Sequence, residues 1–230
     1  MYETFVSWRN GFFHFSYTKI LKRFFFLLDP EFIHDQMLNV GQILGSCSLG
    51  RALTRVSFHY ANPRLEQQVL GIKFANPIGL AAGFDKNAQI TDILGEVGFG
   101  FAEVGSITGE PCTGNPKIRL WRLPKSLSLV VYYGLKNDGC VALAKRLTGK
   151  KFRLPVGFSV AKTNNSTTVD PEAGIADYAK AFEACRDLGS YLTVNISCPN
   201  AFGGEPFTDP AKLEKLLTRL DQIPTEKPIF

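Results

Sequence analysis

Two short stretches of this chain carry residue types able to do chemistry. Asn76-Pro-Ile-Gly-Leu-Ala-Ala-Gly-Phe-Asp-Lys-Asn87 runs an apolar strand straight into a Gly-Phe-Asp-Lys loop. Glycine at position 83 lets backbone turn under a flat ring with no Cβ in the way. Lys86 offers a compact cation to a carboxylate or an electron-rich carbonyl. The second stretch is Asn195-Ile-Ser-Cys-Pro-Asn200. Pro199 lacks a donor and stops the strand, which leaves Cys198 on a turn, while Asn195 and Asn200 each offer a donor and an acceptor. The three histidines, His14, His34 and His59, all fall in the first sixty residues. A base in the later region must therefore come from Cys198 or a carboxylate. Read singly, each stretch has a plainer alternative: a Gly-Asp-Lys corner is also an ordinary strand-to-helix turn, and a cysteine is often a small buried hydrophobe.

The elements that must hold these residues follow from periodicity. From Lys19 to Gly45 apolar residues recur at helical spacing, giving two amphipathic helices, with Asp29-Pro30 as the N-cap and first position of the second. Phe24, Phe25 and Phe26 crowd one turn beside Lys19, Lys22 and Arg23, more than one apolar stripe can bury, so part of that turn is expected to face something other than the domain core. After Arg64, β-branched runs at Pro77–Ala82, Phe101–Gly105, Val156–Ala161 and Leu192–Ile196 alternate with helical stretches near 87–97, 138–149, 172–188 and 210–222. That alternation predicts parallel strands with crossover helices. Residues 109–136 form a long insertion with a short hairpin expected at Ile118–Arg122, and long loops after strand ends are where α/β proteins place ligand contacts. A flavodoxin-like open sheet and a closed (β/α)8 barrel both fit this pattern.

Composition narrows the class. Hydrophobic residues make up 45% of the 230, and 26 Lys and Arg against 21 Asp and Glu give a net charge of +5 without any run of like charges. That suits an anionic membrane surface or a small acidic ligand and is too diffuse for nucleic acid. The five cysteines are odd in number and contain no Cys-x-x-Cys pair, so they read as reduced thiols with neither a disulfide framework nor a zinc site. No apolar run approaches the roughly 20 residues that cross a bilayer. Residues 1–17 are aromatic-rich and lack a secretory cleavage site, and their pattern assigns them to no element.

Phe101-Ala-Glu-Val-Gly-Ser-Ile-Thr108, Gly114-Asn-Pro-Lys-Ile-Arg-Leu-Trp-Arg-Leu123, Tyr133-Gly-Leu-Lys-Asn-Asp-Gly139 and Val194-Asn-Ile-Ser-Cys-Pro-Asn200 follow the first stretch in order. Together these blocks closely resemble the dihydroorotate dehydrogenases, flavin enzymes of pyrimidine synthesis. Phe26-Leu-Leu-Asp-Pro-Glu-Phe-Ile-His34 and Asn62-Pro-Arg-Leu-Glu66 resemble the membrane-associated, quinone-using class of that family. The resemblance implies a (β/α)8 barrel preceded by an N-terminal helical hairpin, with residues 1–60 facing membrane and quinone and 61–230 forming the first half of an FMN-binding barrel. Eight strands close such a barrel, and only four strand–helix units are complete here, with Lys227-Pro-Ile-Phe230 opening a fifth strand. The chain is therefore expected to be a fragment that by itself binds flavin poorly.

By the same resemblance, Cys198 is the base that removes the C5 proton of dihydroorotate as hydride leaves C6 for FMN, yielding orotate. Lys86, Asn195 and Asn200 would hold the pyrimidine. Ala82, Gly83, Lys86, Ser106, Ser159 and Asn195 would contact the flavin, with Ser159 where an asparagine is common. Lys162 matches a lysine near the third strand's end, whose alternative is a solvated loop charge. Quinone would accept the electrons, and the protein would sit peripherally on the cytoplasmic face of a membrane, with no nucleic-acid partner. Two departures stand out: the quinone class usually has serine where Cys198 stands, cysteine being typical of the soluble class, and a substrate-holding asparagine aligns with Val131. These favour one alternative, a soluble flavin oxidoreductase with another acceptor or substrate; a second alternative, from a different class, is a non-enzymatic fragment that only docks on membranes or a partner.

Overall fold

A computed structural model describes residues 2–230. The N-terminal third is helical: α1 (Tyr2–Ser16) runs through a π-helical turn (Tyr17–Leu21) into α2 (Lys22–Phe25), followed by α3 (Pro30–Ser46) and α4 (Ser48–Phe58). The predicted break at Leu28–Asp29 is present, with the Asp29 carboxylate accepting from the Phe32 N–H at 2.9 Å and Pro30 opening α3. Two outcomes differ from the periodicity. The first helix begins at Tyr2 rather than Lys19, and a further helix, α4, follows the pair. Arg9 explains the first: its guanidinium donates to the carbonyls of Val56 and His59, both at 3.0 Å, so α1 supplies the cation that satisfies the C-terminal end of α4. A tertiary contact of that kind leaves no trace in local spacing.

The remainder is α/β. A small antiparallel hairpin, β1 (Gln67–Val69) and β2 (Ile72–Phe74), absent from the sequence reading, precedes β3 (Gly79–Leu80), α5 (Leu94–Val97) and β4 (Phe101–Ile107). Next come β5 (Leu120–Leu123), β6 (Ser128–Val131), α6 (Cys140–Leu147), β7 (Val156–Val160), α7 (Pro171–Cys185), β8 (Tyr191–Val194) and α8 (Pro210–Asp221). The starts of α7 and α8 repeat the Asp-Pro signal of α3, with Asp170 capping Ala173 and Asp209 capping Lys212. The helix expected over 87–97 shrinks to one turn. The Asp85 carboxylate accepts from the N–H groups of Gln89 and Ile90 at 2.7 and 2.9 Å and holds the intervening residues in turns. The insertion hairpin is longer than expected and lies further along, with Leu120 opposite Val131.

Strands β3, β4, β7 and β8 pair in parallel in that order, and Leu192 and Val194 of β8 already exchange backbone hydrogen bonds with Pro228 and Phe230. Strand order therefore follows chain order with no reversal. A flavodoxin-like sheet must reverse beside its first strand, so the sequential winding is that of a barrel, of which four strands and the start of a fifth are present. The core lies between this sheet and its crossover helices. Ala102, Val104 and Ile107 of β4 and Val156, Phe158 and Val160 of β7 are fully buried, against Leu143, Phe182 and Leu216 of α6, α7 and α8. Outside that core, the N-terminal helices leave large apolar side chains in solvent, among them Trp8 (70% exposed) and Leu27 (82%). No helix among the described residues is long and apolar enough to cross a membrane.

Candidate functional site

Parallel strands point their C-terminal ends at one rim, and the predicted residues meet there in chain order. The Gly83 N–H donates to the Gly105 carbonyl at 2.9 Å, and the Gly105 N–H to the Asp85 carbonyl at 3.1 Å, which stitches the β3 loop to β4. Ser106 and Ser159, at the ends of β4 and on β7, share a hydrogen bond of 2.8 Å between their hydroxyls, and Asn195, just after β8, donates its amide to the Ser106 hydroxyl at 2.8 Å. Three consecutive strands, β4, β7 and β8, thus present a row of hydrogen-bonded polar groups. Gly83 has φ +101 with nothing within 4 Å of where a Cβ would stand, so backbone rather than side chain borders the open space.

That space is a cavity of about 760 Å³. Ala82, Gly83, Lys86, Val131 and Tyr133 form its barrel side, while Phe26, Pro30, His34 and Met37 from the N-terminal helices form the other. Lys86 rests its ammonium on the Tyr133 ring, 4.1 Å from the centroid, and makes no hydrogen bond among the described residues. Burial and the neighbouring Lys136 charge lower its pKa to about 8. The Tyr133 hydroxyl is buried without a partner, and burial followed by the Glu31 charge keeps it firmly protonated, a donor aimed at nothing in the protein. An ammonium left without a hydrogen bond beside a cavity suits an anionic or carbonyl-bearing ligand.

Histidine reaches this site after all. His34 of α3 places Nε2 2.8 Å from the Phe84 carbonyl and packs edge-on against the Phe84 ring. Distance along the chain had set the histidines apart from the barrel, whereas the hairpin folds back over its rim. An ion cluster fixes that docking: the buried Glu31 carboxylate takes two hydrogen bonds from Arg119, at 2.6 and 3.1 Å, and one from Lys136 at 3.2 Å. The Arg119 bonds, against the opposing cost of burial and with help from Lys136, hold the Glu31 carboxyl down at about 2. Arg122 donates to the carbonyls of Phe25 and Leu28 and stacks over Phe26, closing the same seam.

The remaining candidates lie on the far side of the rim. Cys198 lines a separate hollow of about 10 Å³ with Lys162, Asn195 and Tyr178, not the large cavity that Lys86 faces. Burial raises its thiol pKa above the ordinary value, while the Asn200 backbone and Lys162 act in the opposite direction. Lys162 is almost fully buried, which overturns the solvated-charge alternative. Asn200 donates to the Val131 carbonyl at 3.1 Å and accepts at its own carbonyl from Asn115 at 2.9 Å. Asn115 also accepts from Asn164 at 2.9 Å, and both asparagines crowd Gly134, where a Cβ would lie 2.5 Å from the Asn115 side chain. Position 131 therefore meets Asn200 through its backbone carbonyl. Asn115 and Tyr133 were not singled out in advance, although Gly114-Asn-Pro and Tyr133-Gly-Leu stand within the resembling blocks.

The profile of the family described as Dihydroorotate dehydrogenase matches residues 64–230. Among curated relatives, the dihydroorotate dehydrogenase (quinone) of Gloeobacter violaceus is 39% identical over 88% of this chain and 56% of its own length. The mitochondrial dihydroorotate dehydrogenase (quinone) of Mus musculus is 39% identical over 85% of this chain and 48% of its own. A ligand-free DHODH structure from Eimeria tenella superposes with a TM-score of 0.71 at 27% identity, covering 84% of this chain and 53% of that one. The chain spans about half the length of the curated relatives it matches. With a matching profile over most of its length and a superposition on the Eimeria tenella structure, the chain belongs to the dihydroorotate dehydrogenase family.

Proposed function

We propose that the protein acts as a quinone-dependent dihydroorotate dehydrogenase, oxidising dihydroorotate to orotate through FMN in pyrimidine synthesis. The observation that carries this reading is the single cavity shared by Ala82, Gly83 and Lys86 with Phe26, His34 and Met37 of the N-terminal helices. It gives one ligand ring a place against the barrel rim and a second, apolar ligand a route in between the helices.

FMN fits the residues present. Gly83 leaves open space for a ring and Lys86 is an unpaired cation beside it, while Ser106, Ser159 and Asn195 are hydrogen-bonded to one another and do not line that cavity. When bound, FMN supplies the hydride acceptor. Ala82 and Gly83 would border its ring, Lys86 would meet both flavin and the substrate carboxylate, and Asn195 and Asn200 would orient the pyrimidine. Cys198 would take the C5 proton.

Because the free Lys86 ammonium titrates at about 8, affinity of the flavin-loaded protein for orotate is expected to fall about tenfold per pH unit above that value. Lys86 is also held below the ordinary lysine value of 10.5, so its burial costs stability below pH 8, a cost relieved as pH rises from 8 to 10.5. Isothermal titration with orotate between pH 7 and 10 checks the binding side, and a flat profile would remove Lys86 from the substrate site.

Exposed Trp8, Phe24 and Leu27 beside Lys19, Lys22 and Arg23 support peripheral association with an anionic membrane, on the cytoplasmic face in this reading. In the full-length protein, deletion of residues 1–60 is expected to abolish membrane binding and quinone reduction while sparing oxidation of dihydroorotate by an artificial dye. Reduction of a long-tailed quinone at the parental rate after that deletion would reject the quinone-channel role. A second reading, a soluble-type enzyme with another acceptor, is favoured by Cys198 and Val131. Comparing quinone, fumarate and NAD as oxidants of the reduced flavin separates the two.

A further inference from the structure

Lys162 stands just beyond the end of β7 and is 3% exposed, yet its ammonium has one hydrogen-bond partner among the described residues, the Phe202 carbonyl. Three donors are available on an ammonium, and a buried cation with donors to spare is costly unless an anion sits beside it. The adjoining helix supplies one opposite charge, Asp177 of α7, whose carboxylate favours the Lys162 ammonium but spends its hydrogen bonds on the N–H groups of Thr163 and Gly109 and on the Thr163 hydroxyl, leaving the ammonium's own donors free. Tyr178, also of α7, donates its hydroxyl to the Asn195 carbonyl. The hollow that Lys162 lines contains one further group able to carry negative charge, the sulfur of Cys198. Around that sulfur, Glu205 of the same loop and Cys112 of the insertion oppose a thiolate, and Lys162 favours it.

We propose that Lys162 is a positioning residue that latches the 198–205 loop through the Phe202 carbonyl and stabilises the thiolate of Cys198. This rests on reading Cys198 as the base, and it names the group that makes the basic form available inside a buried hollow. One cation thereby does two things: it fixes where the sulfur sits and biases which protonation state it holds.

The test reads the thiol directly. Alkylation of Cys198 by iodoacetamide is followed against pH in the folded protein, with peptide mass spectrometry separating Cys198 from the other four cysteines. Lys162→Gln keeps an N–H for Phe202 and removes the charge, Lys162→Met removes both, and Lys162→Arg keeps the charge. Loss of a neighbouring cation displaces a thiol by about one pH unit or more, so Cys198 in the Gln and Met variants should alkylate about tenfold more slowly at pH 7. Limited proteolysis within 198–205 should accelerate in Met and stay near the parental rate in Gln. A Gln variant with parental circular dichroism and a parental alkylation rate would overturn the proposal. Should Gln and Met fail to fold, Lys162→Arg decides: its alkylation midpoint is expected within half a pH unit of the parent, and a midpoint a full unit higher would overturn it. The titration needs neither substrate nor flavin, so its result is independent of whether Cys198→Ala slows flavin reduction.

Discussion

Cys198→Ala in the flavin-loaded, full-length protein is expected to slow flavin reduction by dihydroorotate about 10²- to 10⁴-fold while leaving flavin bound, the usual worth of a positioned general base. The side chain sits on the turn after β8, and truncating it removes no hydrogen bond that holds the Ser106, Ser159 and Asn195 row together. Burial raises the thiol above its ordinary value, so at neutral pH the thiolate is the minor form and the reduction rate should climb with pH until the thiol titrates. Cys198→Ser should keep part of the rate but move that rise to higher pH, because a hydroxyl gives up its proton far less readily than a thiol. Single-turnover bleaching of the flavin against pH reads the parent and both variants. An alanine variant as fast as the parent would assign Cys198 to packing and place the base elsewhere.

Glu31→Ala is expected to destabilise the protein by about 3–5 kcal/mol, because it leaves Arg119 buried without its carboxylate. Arg119 would retain the carbonyls of Thr113 and Asn115, at 2.8 Å each, but these carry no charge to balance it. The pH dependence has a definite sign. The Glu31 carboxyl is held at about 2 against an ordinary 4.5, so its contribution is complete above pH 4.5 and is lost as pH falls from there towards 2. Denaturant titrations at pH 7 and pH 3 should therefore show a smaller gap between parent and variant at the lower pH. The double variant Glu31→Met, Arg119→Met should recover much of the loss, since replacing both ions by apolar groups of similar volume removes the unpaired charge. If the single variant unfolds at the parental denaturant concentration, the ion cluster does not hold the N-terminal helices to the insertion.

The second effect reaches the site as well as the fold. Arg119 lies 5.1 Å from the Tyr133 ring centre, and Lys86 rests on the same ring. Loosening Glu31 therefore disturbs the wall of the cavity together with the seam that closes it.

Local signals accounted for a defined part of this protein. Asp29-Pro30 marked the start of α3 because an Asp side chain and a proline satisfy the first turn of a helix without help from the rest of the chain. Short runs rich in apolar residues, with Val or Ile in each, marked β4, β7 and β8 because strands covered on both faces bury most of their side chains. Those strands in turn carried Ser106 and Ser159 and delivered Asn195 to one rim; Asn195 stood out by residue type, whereas the two serines were named only through the family resemblance. Families of blocks in fixed order supplied the rest of what was read in advance.

Tertiary structure alone decided the remainder. Helix α1 exists against Arg9's hydrogen bonds to α4, nearly fifty residues away, and the stretch after Asp85 is turn rather than helix because one buried carboxylate captures two N–H groups. Periodicity left open sheet and barrel equal; the resemblance already pointed to the barrel, and strand order, which periodicity does not contain, bears that out. His34 joined Lys86 and Tyr133 only through the fold of the hairpin over the rim, and Lys162 became a buried cation beside Cys198 only when the loop carrying Phe202 closed on it. A sequence fixes which groups are available and where helices and strands start, because those choices are settled by neighbours along the chain; which charges are desolvated and which donors are left unpaired depends on contacts between distant residues, and that is where the chemistry of this site resides.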